Sequence, residues 1–253
     1  MKLIFLGTGT SVGVPTIGCK CKVCTSSDKH DKRLRASAMI ESSTTRVLID
    51  CGPDFREQML GLEFKKIDAV LLTHVHYDHV GGLDDLRPFC QFGEVNIYSD
   101  KKTADGLMHT MPYCFDENKY PGVPKINLNV IEPHVPLTIG DLKIIPIEVM
   151  HDRMPILGYR IGDLLYITDM KTIDEKEFEY FKGVKTLVVN ALRFAPAHHS
   201  HQTVDEAINF ARKVGATRTF FTHMGHDIGL HEQTNRILPD DINLAYDGQI
   251  IEI

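Results

Sequence analysis

Apolar residues in this chain gather in short runs separated by turn-forming residues. The runs Lys2–Leu6, Arg46–Ile49, Asp68–Leu72, Leu142–Val149, Leu164–Ile167, Thr186–Val189 and Arg218–Phe221 read as β-strands. Several are rich in Val, Ile, Leu and Phe on both faces, the pattern of strands buried between other layers. Thr203-Val204-Asp205-Glu206 has the form of a capping box, and Val204, Ala207, Ile208, Ala211 and Val214 then fall on one helical face. Thr172-Ile173-Asp174-Glu175 repeats the capping pattern ahead of Phe178 and Phe181, which predicts a second helix. Tyr246-Asp247-Gly248-Gln249 predicts a hairpin turn between two final strands. Asp116–Pro124, with its Asn, Pro and Gly, reads as a loop. Two strand-rich stretches with helices between them predict an α/β chain whose sheets pack face to face under helices.

The length of 253 residues fits one large domain or two small ones. With 43% apolar and 25% charged residues, the composition excludes a disordered chain, a collagen-like fibre and a coiled coil. No apolar run approaches the roughly 20 residues of a membrane helix, so no membrane partner is expected. The net charge of −6 argues against a grip on long nucleic acid. The apolar stretch Met1–Gly7 is too short for a secretory signal, and a cytoplasmic location is expected.

The 13 histidines and 6 cysteines are not evenly spread. Thr73-His74-Val75-His76-Tyr77-Asp78-His79 directly follows an apolar strand, so it occupies a loop at a strand end, where sheets of this class place ligands. His74 and His76 alternate and can point the same way in extended chain. Asp78 and His79 follow once the chain turns, with Gly81-Gly82 expected to supply the flexibility for that turn. Imidazole and carboxylate together suit zinc, iron or manganese.

The motif His74-x-His76-x-Asp78-His79 resembles the signature of the metallo-β-lactamase-fold hydrolases. The likeness extends to Leu6-Gly7-Thr8-Gly9-Thr10, Leu48-Ile49-Asp50-Cys51-Gly52, Met150-His151, Ile167-Thr168-Asp169 and Phe221-Thr222-His223, nearly the whole chain. It implies one domain over residues 1–253 with a four-layer αββα sandwich holding two metal ions. His74, His76 and His151 would bind one ion, Asp78, His79 and His223 the other, and Asp169 would bridge them. Independently of the resemblance, His151, Asp169 and His223 each end an apolar run, so they can converge on one edge of a sheet.

Cys19-x-Cys21-x-x-Cys24 supplies three thiolates within a segment made irregular by Pro15 and Gly18. A closed zinc site needs a fourth ligand, and His226, three residues beyond His223, is the candidate. In a reducing compartment a Cys21–Cys24 disulfide is disfavoured, while Cys51, Cys90 and Cys114 read as small apolar residues. Gly13-Val14-Pro15, the cysteine loop and Thr222-His223-x-x-His226 are similar to a narrower branch, which contains the phosphoribosyl cyclic phosphate phosphodiesterase of bacterial phosphonate breakdown. That branch implies a structural zinc on Cys19, Cys21, Cys24 and His226, in a loop at about residues 18–26. A related branch, the pyrroloquinoline quinone biosynthesis proteins, has a similar cysteine loop but tends to lose the full histidine motif, which is intact here.

The expected activity is hydrolysis of a small phosphate ester, a cyclic sugar phosphate or nucleotide, by two divalent ions, zinc or manganese with iron as a further option. Asp78 would both ligate and orient the nucleophile. In Ala197-His198-His199-Ser200-His201, just before the capped helix, the branch resemblance points to His201 as the residue that touches substrate, while His198 and His199 read as solvated. Asp84-Asp85 read as solvated helix-start residues, and Arg33 and Arg35 as a surface charge run. The alternatives are a transfer RNA 3′-processing endonuclease, a thioester or lactone hydrolase, and a non-catalytic cofactor-biosynthesis partner. A homodimer is left open.

Overall fold

The computed structural model describes residues 1–116 and 121–253. Part of the loop expected over Asp116–Pro124 therefore lies outside the described residues. The strands run in chain order as β1 (Lys2–Gly7), β2 (Ser37–Glu41), β3 (Arg46–Ile49), β4 (Ala69–Leu71), β5 (Val95–Ser99), β6 (Ile126–Val130), β7 (Leu137–Ile139), β8 (Leu142–His151), β9 (Met154–Ile161), β10 (Leu164–Tyr166), β11 (Thr186–Asn190), β12 (Arg218–Thr222), β13 (Ile242–Leu244) and β14 (Ile250–Glu252). They form two seven-stranded sheets, β14-β1-β2-β3-β4-β5-β6 and β7-β8-β9-β10-β11-β12-β13. Each sheet begins with antiparallel pairs and continues with parallel ones, the change coming at β3 in the first and at β10 in the second.

Three apolar clusters show the layering. Leu3, Phe5, Ala38, Ile40, Val47 and Ile49 of the first sheet meet Leu164, Tyr166, Val188 and Phe220 of the second. The intervening residues Ile4, Leu6, Met39 and Leu48 face outward onto Phe55 of helix α1 (Phe55–Leu60) and onto Leu83, Leu86 and Phe89 of a 3-10 helix. On the far side, Leu165, Leu187, Val189 and Phe221 pack under Phe181, Val204, Ala207 and Phe210. Alternate residues of one strand thus enter two different cores, which is why the runs are apolar on both faces. The expected αββα sandwich is the observed fold. The remaining α-helices are α2 (Tyr77–Val80), α3 (Lys101–Thr110), α4 (Val204–Val214) and α5 (His231–Asn235). Among the described residues no helix is long and apolar enough to cross a membrane.

Several local expectations are corrected. The turn at Tyr246–Gln249 does not close a hairpin: β13 belongs to the second sheet and β14 to the first, so the Asp-Gly turn carries the chain across the sandwich. Asp247 is the reason. Its carboxylate accepts hydrogen bonds from Thr8 Oγ1 at 2.7 Å and Leu34 N at 2.6 Å, tying the crossover to the first sheet. Thr172 caps no helix. It bridges to Met150, and Asp174 caps a 3-10 helix, Glu175–Phe181, through Lys176 N. Arg33 is no surface charge but is 2% exposed, donating to Thr8 Oγ1 and Ala245 O, while Arg35 pairs with Asp54 at 2.8 Å.

Gly82 is not a hinge, since its φ is −99°. A Cβ there would lie 2.0 Å from Gly52 O, and a Cβ on Gly52 would lie 2.1 Å from Asp78 O. The two glycines let the loops after β3 and β4 touch backbone to backbone. No disulfide joins any of the six cysteines among the described residues.

The capping box of α4 is present, with Thr203 Oγ1 accepting from Glu206 N and the Glu206 carboxylate accepting from Thr203 N at 2.8 Å. Thr203→Ala is expected to cost about 1 kcal/mol, read as a lower denaturant midpoint with unchanged secondary structure.

Candidate metal centres

The site lies along one edge of the sandwich, where strands of both sheets deliver their C-terminal ends. From the first sheet, Asp50 follows β3 and His74, His76, Asp78 and His79 follow β4. From the second, His151 ends β8, Asp169 follows β10, His201 lies between β11 and α4, and His223 follows β12. The edges are pinned together by Leu157 N donating to Thr73 O at 2.9 Å and by the buried Tyr159 hydroxyl donating to Leu72 O at 2.5 Å. The N-terminal loop adds two more ties, Thr10 N to Met224 O and Met224 N to Thr8 O. Asp50, Asp169 and His223 have φ values of 59°, 56° and 54°. Left-handed backbone on a non-glycine residue is costly and recurs at functional sites, where the surrounding structure enforces it.

The ligand atoms gather in overlapping groups. His74, His76 and His151 lie within 4.8 Å of one another, as do Asp78, His79 and His223. Asp169 joins His74 and His79 in one group, and His151 and His201 in another. One Asp169 oxygen is 3.0 Å from His79 Nε2; the other is 3.2 Å from His223 Nε2 and 3.4 Å from His201 Nδ1. Asp78 Oδ2 lies 3.2 Å from His79 Nε2 and 3.6 Å from His223 Nε2. All the residues expected at the catalytic centre are therefore brought together, including His201.

The outer nitrogens are spoken for. His74 Nδ1 is 3.0 Å from Thr73 Oγ1, His79 Nδ1 is 2.7 Å from the Asp50 carboxylate, and His151 Nδ1 is 2.7 Å from Asp169 O. That leaves the Nε2 atoms facing inward. His79 Nε2 and both ring nitrogens of His223 are buried without a hydrogen-bond partner. Burial opposes charge on His79, yet Asp169, Asp50 and Asp78 outweigh it and hold the imidazole well above its usual range. Burial, followed by the His223 charge, lowers His201 to about 3, so its ring is neutral. Orphaned nitrogens facing buried carboxylates are a donor set that fits divalent cations.

Sequence reasoning missed Asp50 as a positioning residue. Its carboxylate is fully buried and accepts from Thr73 N, Thr73 Oγ1 and the His79 ring. The signal was available, because Asp50 ends the apolar run Val47–Ile49 as the other site residues end theirs. His198 is not simply solvated: it stacks on His201 with ring centres 4.9 Å apart and accepts from Ser200 N. Asp84 is exposed and bonded to Arg87, as expected of a helix-start residue.

A second group joins Cys19, Cys21, Cys24 and His226, all within 4.8 Å. His226 Nδ1 is 3.3 Å from Cys21 Sγ and 3.6 Å from Cys19 Sγ. Thr16 N donates to Cys24 Sγ and Cys24 N to Cys21 Sγ, both at 3.4 Å. The Cys24 N–H and then His226 lower the Cys21 thiol to about 6, while burial pushes Cys24 up to about 11. Three sulfurs and one imidazole are the donor set of a closed zinc site. Val14, Val23 and Leu230 form a small apolar cluster around it.

The family profile described as a beta-lactamase superfamily domain matches residues 45–224. A crystal structure of a new diphosphatase from the PhnP family superposes with a TM-score of 0.91 and is 43% identical, covering 99% of this chain and 96% of its own. The octanoyltransferase of Porphyromonas gingivalis is 45% identical over 249 residues, covering 98% of this chain. The chain spans about half the length of that relative, 51%. Zinc-bound PqqB from Methylobacterium extorquens has the same fold, with a TM-score of 0.81 at 16% identity and full coverage of both chains. The strand-end ligands, the two facing sheets and the profile agree, and the chain belongs to the metallo-β-lactamase-fold superfamily.

Proposed function

We propose that the protein is a two-metal phosphodiesterase acting on a small phosphate ester, a cyclic sugar phosphate or nucleotide. The observation that carries this reading is the position of Asp169, which groups with His74 and His79 and also with His151 and His201, while its two oxygens face His79 and His223. His74, His76 and His151 would hold one divalent ion, Asp78, His79 and His223 the other, and Asp169 would bridge them. When bound, such ions supply Lewis acidity toward phosphoryl oxygens and a water acidic enough to attack at neutral pH.

The chain's own residues set the geometry. Asp50 fixes the ring of His79, Thr73 that of His74, and the Asp169 carbonyl that of His151. Asp78, largely buried between His79 and His223, is placed to accept a proton from the attacking water. His201, beside Asp169, is assigned to substrate contact at the leaving oxygen. Likeness to a diphosphatase over 99% of the chain supports phosphoryl chemistry.

A second reading is attack on an acyl carbon, as in a thioester or lactone hydrolase. The name of the Porphyromonas relative favours it, since octanoyl transfer is acyl chemistry, although that name belongs to a protein twice as long. A transfer RNA endonuclease is disfavoured by the net charge of −6, and a non-catalytic partner by the complete donor set. Cys19, Cys21, Cys24 and His226 are assigned a structural zinc that pins the N-terminal loop beside the catalytic edge.

A panel of cyclic phosphates, oligonucleotides, thioesters and lactones tests the reading; turnover of thioesters alone would replace it with the second. Elemental analysis is expected to find about three divalent ions per chain, two in the open site and one in the closed one. Asp169→Ala is expected to abolish hydrolysis of a chromogenic phosphodiester while circular dichroism stays native; full activity would remove the bridging role. Cys21→Ala is expected to lose one zinc and to lower the melting temperature, and unchanged values of both would defeat the structural site.

A further inference from the structure

β11 stands between the strands that deliver Asp169 and His223, with β10 on one side and β12 on the other. Its last residue, Asn190, is fully buried and has no part in the reaction proposed above. A buried amide needs partners for both its donor and its acceptor. Asn190 finds them on one residue. Its Oδ1 accepts from Met170 N at 2.8 Å, and its Nδ2 donates to Met170 O at 2.9 Å.

Met170 directly follows Asp169. β10 and β11 pair in parallel from Leu164 to Tyr166, and Ile167 N donating to Val188 O at 2.9 Å continues the ladder. Asp169 then takes a φ of 56°, which turns the chain off the strand path. Beyond that turn the Asn190 amide stands in for the backbone of β11. It offers a donor and an acceptor side by side, as a strand residue would. The backbone of Asn190 meanwhile stays in register with Thr222, and Ala191 N donates to Thr222 O at 3.0 Å. Thr222 directly precedes His223. One residue therefore holds the strand end of Asp169 with its side chain and that of His223 with its backbone. Across that link Asp169 Oδ1 lies 3.2 Å from His223 Nε2.

We propose that Asn190 is a positioning residue, whose clamp on Met170 holds the Asp169 carboxylate in the orientation that bridges two divalent ions. This role deepens the two-metal reading and rests on it. Without the clamp, Met170 N and O would be buried without partners. The left-handed turn at Asp169 persists only while its surroundings enforce it, so it would relax. The carboxylate would then leave one of the imidazoles it faces, and the ion on that side would lose a ligand.

The test counts metal, so it does not depend on turnover. A mild chelator clears the open site, and the chain is dialysed against graded Mn²⁺, a metal that favours carboxylate over thiolate and so leaves the cysteine group uncounted. Asn190→Leu fills similar space without hydrogen bonds, and Asn190→Ser has a hydroxyl too short for the clamp. Leu187→Ala removes buried packing on the opposite face of β11, which lowers stability away from the clamp. The native chain and Leu187→Ala are expected to bind two Mn²⁺ with equal affinities and to share one spin-coupled paramagnetic resonance spectrum. Both Asn190 variants are expected to bind one ion as the native chain does and the second about 10- to 100-fold more weakly, with that spectrum changed at saturating metal. Melting curves of all four chains confirm folding, and Asn190→Ser carries the comparison if Asn190→Leu does not fold. Native affinity for both ions in a folded Asn190 variant overturns the clamp's role. So does equal weakening in Leu187→Ala, which would trace the effect to stability alone. A native chain that takes up a single Mn²⁺ overturns the proposal together with the two-metal reading, a pattern that failure of the clamp alone does not produce.

Discussion

Asp169 is a carboxylate with 2% of its surface exposed, and a buried charge must be answered by other charges or it drives its surroundings apart. The answer comes from His79 on one side and His223 on the other, with the neutral ring of His201 beside them, and these residues leave strands of two different sheets. The polar edge is therefore an electrostatic consequence of how the sandwich closes. The inter-sheet core brings the strand ends to a common edge, and the polar groups at those ends then satisfy one another. Removing any strand end would leave a buried charge without its counterpart.

The rigidity of that edge comes from a shell of ordinary contacts. Asp50, Thr73 and the Asp169 carbonyl each hold the rear nitrogen of an imidazole, so the front nitrogens are aimed before any ligand arrives. Gly52 and Gly82 permit the backbone of two loops to touch, and a side chain at Gly52 would push Asp78 away. Left-handed backbone at Asp50, Asp169 and His223, each costing on the order of 1–3 kcal/mol, shows how much of the fold's stability is spent on placing three side chains.

Legibility in the sequence followed the strength of the local signal. His74 to His79 form a dense string, and β1, β3, β4, β8, β10, β11 and β12 are apolar runs, so both stood out. Short edge strands such as β6, with exposed Asn127 and half-exposed Asn129, carry too little apolar pattern to separate from loop. The Asp247-Gly248 turn has the sequence of a hairpin because two-residue signals report local backbone geometry and not which sheet the next strand joins. Arg33 looked like surface charge because burial depends on partners such as Ala245 and Asp247, more than 200 residues away. Asn190 carries no motif at all, and only the folded arrangement sets it against Met170.

The two sheets repeat one plan, antiparallel pairs followed by parallel ones, and the ligand residues divide between the repeats, His74 to His79 in the first and His151 to His223 in the second. Ions seated there would act as rivets across the seam of the sandwich. Occupancy and folding are then thermodynamically linked, because whatever binds only the assembled form draws the equilibrium toward it. The supply of metal in the surroundings would set how firmly the two halves are joined, as well as whether the seam can do chemistry.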